Sequence, residues 1–310
     1  MRGSGYLGTM KIAILGPTAS GKSALAGAVA RRVSGIVVNG DPFQSIAGLA
    51  IGTGQPSEAE QGGVPHVGYG LLPLSTRPNP AMFGEQVRTW LGATDVPVLV
   101  TGSGLYLRGI WAQLTDLPDV PEATVTKVRR WSEVLGAPRL HRVLTGLDPK
   151  RAADLHPNDG ARVTRALALH LATGLKASEL LTGVRLGVPE GWRILVVLST
   201  RELQRKRVEL RVAEQMKAGW QDEVAGLLAA GHGPDLEALR PLGYMGLVEM
   251  VQGSRPSGVE GIERIERIIQ ETQAFAKRQA TWFRNQLPEA PHWDPDVEPL
   301  DAAFEKLGLL

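Results

Sequence analysis

Four short apolar stretches frame the chain: residues 12–15, 35–41, 98–101 and 193–199. The first two lack the in–out alternation of a half-exposed strand, so they read as strands buried on both faces. Helical patterns separate and follow the four. An Ala-rich stretch over 24–32 and a second helix over 81–91 come first. Helices over 202–218, 221–230 and 258–285 come later. In the last of these, Ile262, Ile265, Ile269 and Phe275 recur at helical spacing. Strand alternating with helix predicts an α/β fold with a parallel sheet.

The pattern changes near Pro118-Asp119-Val120-Pro121. From there to about residue 188 it reads as helices with few strand signals, and 193–199 then returns to the sheet. We therefore expect a discontinuous core over 10–118 and 190–290, an all-helical insertion over 119–189, and a C-terminal tail over 291–310. Residues 42–80 are rich in Gly and Pro and weakly periodic, too long for a plain connection and so expected to face substrate. Residues 1–9 precede a second Met at position 10 and lack the apolar stretch of a signal peptide. We read them as a leader outside the fold.

The chemistry begins where the first strand meets the first helix. Gly16-Pro17-Thr18-Ala19-Ser20-Gly21-Lys22-Ser23 has the spacing of a phosphate-binding P-loop, in the strand–turn–helix setting such a loop needs. Its backbone N–H groups and the helix N-terminus favour an anion. Lys22 adds a charge toward the outer phosphates, and the Ser23 hydroxyl is a ligand for Mg²⁺. The fold class is therefore a P-loop NTPase-like parallel sheet flanked by helices, with a helical insertion domain. The motif leaves open which phosphate compound binds.

Other groups admit two readings each. Asp41 closes the second strand, as a capping or metal-holding carboxylate or as a base for a nucleophile. Arg207 and Arg211 share a helix face, either paired with Glu209 and Glu214 or clamping a diphosphate. Arg162 and Arg165 form a solvated face or a contact to RNA phosphates. Trp282 and Phe283, beside Lys277, Arg278 and Arg284, are core residues or base-stacking platforms.

Composition narrows the classes further. The chain has 310 residues, 43% of them apolar, no Cys and a formal net charge of +2. It therefore has no disulfide or thiolate site, which agrees with a cytoplasmic protein. Any nucleic-acid footprint must come from local patches. No apolar stretch approaches membrane-spanning length. His66, His141, His156 and His170 lack paired metal spacing, so no zinc is expected.

Taken in order, these blocks resemble the tRNA dimethylallyltransferase (IPP transferase) family. They are the P-loop, Asp41 with Gln44, Ile51-Gly52-Thr53 with Pro56, and Gly102-Ser103-Gly104-Leu105-Tyr106. His156-Pro157-Asn158-Asp159 with Arg162 and Arg165-Ala166-Leu167 follow. Arg207 with Arg211, Met216, Gly219 and Glu223-Val224 come next, then Leu242-Gly243-Tyr244 and Ala276-Lys277-Arg278-Gln279 with Thr281-Trp282-Phe283-Arg284. The resemblance implies transfer of a dimethylallyl group from its diphosphate to N6 of the adenosine 3′ of the anticodon.

On that resemblance Asp41, Ser103 and Lys22 are catalytic. Residues Gly16, Pro17, Thr18, Ala19, Ser20, Gly21, Lys22 and Ser23, with Arg207 and Arg211, hold the diphosphate, with Mg²⁺ at Ser23. Asp41, Pro42, Phe43, Gln44, Ser103, Arg162, Arg165, Arg240, Gly243, Tyr244, Lys277 and Arg278 contact tRNA. The expected protein is a nucleotide-binding, cytoplasmic monomer whose partners are tRNA and dimethylallyl diphosphate. Departures from the family pattern at Pro42, Ile46, Gln55 and Met245-Gly246 fall in tRNA-facing segments and bear on tRNA affinity. A P-loop kinase of small molecules and a non-catalytic RNA-binding relative remain as alternatives.

Overall fold

The computed structural model describes residues 10–114, 117–181, 185–253 and 258–310; the leader expected over 1–9 lies outside them. Six strands form one sheet: β1 (Lys11–Leu15), β2 (Ile36–Asn39), β3 (His66–Val67), β4 (Pro97–Thr101), β5 (Trp192–Val197) and β6 (His292–Trp293). Their order is β3-β2-β4-β1-β5-β6, and every pairing is parallel. β1 sits centrally, with Ile12 opposite Val98 on β4 and Arg193 on β5.

The uninterrupted apolar runs follow from this placement, because helices cover both faces. Ile12 and Ile14 face one layer with Leu25, Val29 and Phe304. Ala13 and Leu15 face the other with Phe83, Leu99 and Phe283. Each such side chain removed from water contributes roughly 1.5–3 kcal/mol.

Chain contacts divide the protein into one unit of 10–113 and 185–310 and a second of 114–184. The second unit is helical, with main helices Glu122–Leu135, Ala137–Leu147 and Gly160–Thr173 around its own core of Val128, Leu140, Leu144, Val163 and Leu167. The division falls a few residues ahead of the boundaries expected from composition.

Two expectations are corrected. Residues 291–310, expected as a C-terminal tail outside the core, belong to it. β6 adds to the sheet edge through Val196–His292 and Val197–Trp293 pairs, and helix Leu300–Lys306 buries Ala303 and Phe304 in the β1 core layer. The second strand also stops earlier than expected. The Asn39 side chain donates to the Asp41 carbonyl and accepts from the Asp41 amide, each at under 3 Å, turning the chain out of the sheet. Asp41 thus lies in the turn beyond the strand.

In helix Gly258–Gln286 the buried stripe runs through Ile268, Thr272, Ala276, Gln279 and Phe283. Ile262 is exposed, and Ile265 and Ile269 are partly buried at its edge. Two polar residues take core positions because each is satisfied there: Thr272 donates to the Ile268 carbonyl, and Gln279 is bonded at both ends of its amide.

Candidate active site

The P-loop leaves β1 at the C-terminal edge of the sheet and enters helix Lys22–Val33. Gly21 caps that helix at φ +90°, a left-handed conformation that only a residue without Cβ adopts cheaply. Three side chains from neighbouring helices fix the loop from outside. Gln279 Oε1 accepts from the Thr18 amide at 2.9 Å, and Gln204 Nε2 donates to the Thr18 carbonyl. Arg207 Nη1 donates to the Ser20 carbonyl at 2.9 Å. The Gly16, Thr18 and Ser20 amides are spent on the Thr101 carbonyl, Gln279 and the Pro17 carbonyl, and a loop held this way keeps its remaining amides in place when an anion arrives.

Gln279 also reaches sideways. Its Nε2 donates to the Gly102 carbonyl at 2.8 Å, tying the P-loop to the 102–104 turn that follows β4. A methyl group placed on Gly102 would lie 3.5 Å from Lys22 Cε, so this turn lies against the P-loop lysine. Thr101 makes the next link: its hydroxyl donates to the Gly40 carbonyl at 2.8 Å and accepts from the Ser103 amide at 3.1 Å. The Asp41 loop and the Ser103 turn are thereby coupled by one side chain.

The charges in this cluster act on one another. Burial, with the Arg211 charge adding to it, brings the Lys22 ammonium down to about 8, while the Asp41 carboxylate pulls the other way. Burial pushes the Asp41 carboxyl above the usual carboxylate range, opposed first by Lys22. Burial and the Asp41 charge also push up Tyr106, to about 12, and Tyr69 further. Burial lowers Arg211, against the favourable charge of Asp41.

The expected site residues divide accordingly. The P-loop, Lys22, Asp41, Ser103 and Arg211 converge on one sheet edge. Asp41 Oδ1 accepts from the Phe43 amide at 3.0 Å, so its capping geometry is realised, and its other carboxyl oxygen is not consumed by that bond. Neither arginine takes the local glutamate pairing. Arg207 forms an ion pair with Asp296 at 2.5 Å, besides its bond to Ser20. Arg211 donates to the Thr53 carbonyl at 3.0 Å. Glu209 accepts from Gln273 instead, and Glu214 acts on Arg211 through its charge.

Several residues expected to touch RNA are interior. Tyr244 is fully buried, its hydroxyl donating to Glu223 at 2.6 Å. Gly243 caps the helix Tyr244–Gln252 against Trp220, and Pro42 is buried. Phe43 packs on the cluster around Trp220, and Gln44 Nε2 donates to the Thr53 and Gly54 carbonyls. The Pro42 and Tyr244 side chains therefore shape the fold around the site, while Phe43 and Gln44 are half-buried beside it. Lys277, Arg278 and Arg240 are exposed, with the Arg278 guanidinium 5.8 Å from the Phe275 ring centre. In the helical unit Arg162 and Arg165 are exposed, and Arg162 pairs with Asp159 at 3.6 Å. Phe283 is fully buried and Trp282 packs its ring against Gly104, so both serve the core.

Beside the P-loop lies a cavity of about 400 Å³ bordered by Pro17, Gln204, Arg205, Lys277, Thr281 and Arg284. Sequence reading missed Gln279, Thr101 and Tyr69 as parts of this site. Gln279 stood inside a noted block, yet its two bonds span the fold. Among the described residues no cluster of three His, Asp or Glu side chains could hold a metal ion. The exposed Ser23 hydroxyl fits Mg²⁺ held mainly by diphosphate oxygens and water, which is how this ion binds in phosphate sites.

A parallel sheet with a clamped P-loop, a lysine and a carboxylate at its C-terminal edge defines a P-loop α/β protein. The IPP transferase family model matches residues 44–286, and the isopentenyl transferase model matches 10–67. A tRNA dimethylallyltransferase of Rhodospirillum centenum is 38% identical over 90% of each chain. The tRNA isopentenylpyrophosphate transferase of Bacillus halodurans superposes with a TM-score of 0.65 at 28% identity, covering 97% of both chains. A eukaryotic dimethylallyltransferase acting on tRNA shares the fold, with a TM-score of 0.73 at 22% identity over 95% of this chain and 78% of its own. The chain belongs to the IPP transferase family.

Proposed function

We propose that this chain is a tRNA dimethylallyltransferase, moving the dimethylallyl group of dimethylallyl diphosphate to N6 of the adenosine 3′ of the anticodon. The observation that carries the reading is the juxtaposition of the P-loop lysine, set against the 102–104 turn, with the Asp41 loop that Thr101 ties to the same turn. The P-loop amides, Lys22 and Arg211 take the diphosphate. Arg207 stiffens the loop from behind through Ser20.

The exocyclic amine is a weak nucleophile because its lone pair is delocalised into the ring. The N6 lone pair forms the new bond to C1 of the prenyl group as the C1–O bond breaks, and the bonding pair leaves with diphosphate. Asp41 takes the N6 proton, and a carboxyl raised above its usual range is a better base for it. Ser103 orients the same amine. Lys22 and Arg211 meet the charge that develops on the leaving oxygen. The Ser23 hydroxyl would hold Mg²⁺, which would supply further charge neutralisation on the diphosphate.

The adenine must leave its stack to reach this edge, at about a few kcal/mol. Exposed cations, Arg162 and Arg165 in the helical unit and Lys277, Arg278 and Arg240 elsewhere, offset that through phosphate contacts. No helix among the described residues is long and apolar enough to cross a membrane. We place the enzyme in the cytoplasm, where its tRNA substrate resides, acting as a monomer.

The test is an incubation of the protein with dimethylallyl diphosphate, Mg²⁺ and an unmodified anticodon stem-loop, without nucleoside triphosphate. The RNA is expected to gain one prenyl mass. An RNA of unchanged mass would overturn the reading: ATP-dependent phosphorylation of a small molecule would then assign the chain to the kinases, and stem-loop binding with neither reaction would leave it an RNA-binding protein.

A further inference from the structure

One half-buried carboxylate outside the site is unexplained by the reaction. Glu223, on helix Trp220–Ala229, accepts three hydrogen bonds. Oε2 takes the Ile51 amide at 2.7 Å, and Oε1 takes the Gly52 amide at 3.3 Å and the Tyr244 hydroxyl at 2.6 Å. The two amides are the leading N–H groups of the one-turn helix Ala50–Thr53. Gln215 holds the same turn from its carbonyl side, donating to Ile51 and Gly52 at 2.8 and 2.9 Å. Gly52 is pressed so closely on Trp220 and Tyr244 that a Cβ would lie 2.1 Å from the indole nitrogen.

What leaves this turn is the Thr53 carbonyl. It accepts from Arg211 Nη2 at 3.0 Å and from Gln44 Nε2 at 2.9 Å. Arg211 is a long, half-buried side chain on helix Arg201–Lys217, its guanidinium close against Gly54. No carboxylate lies within ion-pair distance of it among the described residues. Its direction is therefore set by a backbone oxygen in a turn that Glu223 holds by its amides and Gln215 by its carbonyls. We propose that Glu223 is a positioning residue for diphosphate binding, acting through the 50–54 turn and the Thr53 carbonyl on Arg211. This rests on the reading of the P-loop edge as a diphosphate site.

Substituting Glu223→Gln keeps the shape but replaces one acceptor oxygen with a donor facing other donors. The turn must then shift or leave an amide unpaired. Arg211 loses its fixed direction, and affinity for the anion falls.

The probe is inorganic diphosphate with Mg²⁺, its Kd measured by calorimetry on the full chain. Glu223→Gln is expected to raise Kd about tenfold, the loss of roughly one well-placed charged contact. In an Arg211→Ala background the same substitution is expected to change Kd less than about twofold, because the path ends at Arg211. Asp222→Asn removes the same charge from an exposed neighbouring position and is expected to leave Kd unchanged. An unchanged Kd in Glu223→Gln, or an equal loss with and without Arg211, would overturn the proposal. If Glu223→Gln fails to fold, Gln215→Ala takes its place in the cycle. It loosens the same turn without stranding a charge, and it is expected to raise Kd about threefold only when Arg211 is present. A parent protein that does not bind diphosphate would instead defeat the functional reading beneath it.

Discussion

Lys22 and Asp41 carry opposite charges whose states are tied together, so pH reads them both. The proposed transfer needs Lys22 protonated to hold diphosphate and Asp41 ionised to take the amine proton. In the free enzyme Lys22 loses its proton near 8, well below an ordinary lysine. As pH rises through that value the cradle loses a charge and kcat/KM for dimethylallyl diphosphate is expected to fall. On the acid side the limb is expected above the usual aspartate range, because burial raises Asp41. The kcat/KM profile is thus a bell whose limbs belong to the pair. Lys22→Ala is expected to abolish diphosphate binding while stem-loop affinity survives, and an unaltered diphosphate Kd would remove the loop from the site. Asp41→Asn is nearly isosteric and keeps a carbonyl oxygen for the Phe43 amide. It is expected to lower single-turnover rates about 10²–10⁴-fold, the range for a lost general base. If added Mg²⁺ restored the rate, Asp41 would be a metal-holding carboxylate instead.

At the scale of elements, the 258–286 helix is the part that joins the site. Gln279 projects from it to bond Thr18 in one loop and Gly102 in another. Gln279→Ala leaves a backbone donor and a backbone acceptor without their partner. It is expected to lower stability by about 2–4 kcal/mol, seen in urea unfolding, and to weaken diphosphate binding with it. A variant as stable as the parent would show that water replaces the amide. This helix also marks the limit of what the sequence could disclose. Its existence was legible from spacing, as were β1, β2, β4 and β5, whose apolar runs have no other use. Its buried face was not, because Thr272 and Gln279 occupy core positions and hide the period. β6 was invisible for a different reason: two residues, one of them His, make no pattern, and partner pairing alone defines them. In the site, the P-loop was legible as a local motif. Tyr244 and Gly243 stood in a block associated with RNA, but burial gives them to the fold. The bonds of Thr101 and Arg211 depend on segments far apart in sequence, which no local pattern reports.

On the scale of the whole molecule, the formal net charge is only +2, so the proposed grip on RNA rests on local cations. Arg165 is exposed on the helix Gly160–Thr173 of the helical unit. If it meets an RNA phosphate, Arg165→Ala is expected to reduce the slope of log affinity against log salt by about 0.7–0.9. An unchanged slope in filter-binding titrations would return it to a solvated face. The central claim concerns what is transferred, and a doubly labelled substrate tests it most directly. Dimethylallyl diphosphate carrying one label in its carbon skeleton and another in its phosphorus is incubated with an anticodon stem-loop, and the RNA is digested to nucleosides. The account predicts carbon label on an adenosine at N6 and all phosphorus label in free diphosphate. Phosphorus label in the RNA, or an RNA free of both labels while dimethylallyl diphosphate is consumed, would contradict it.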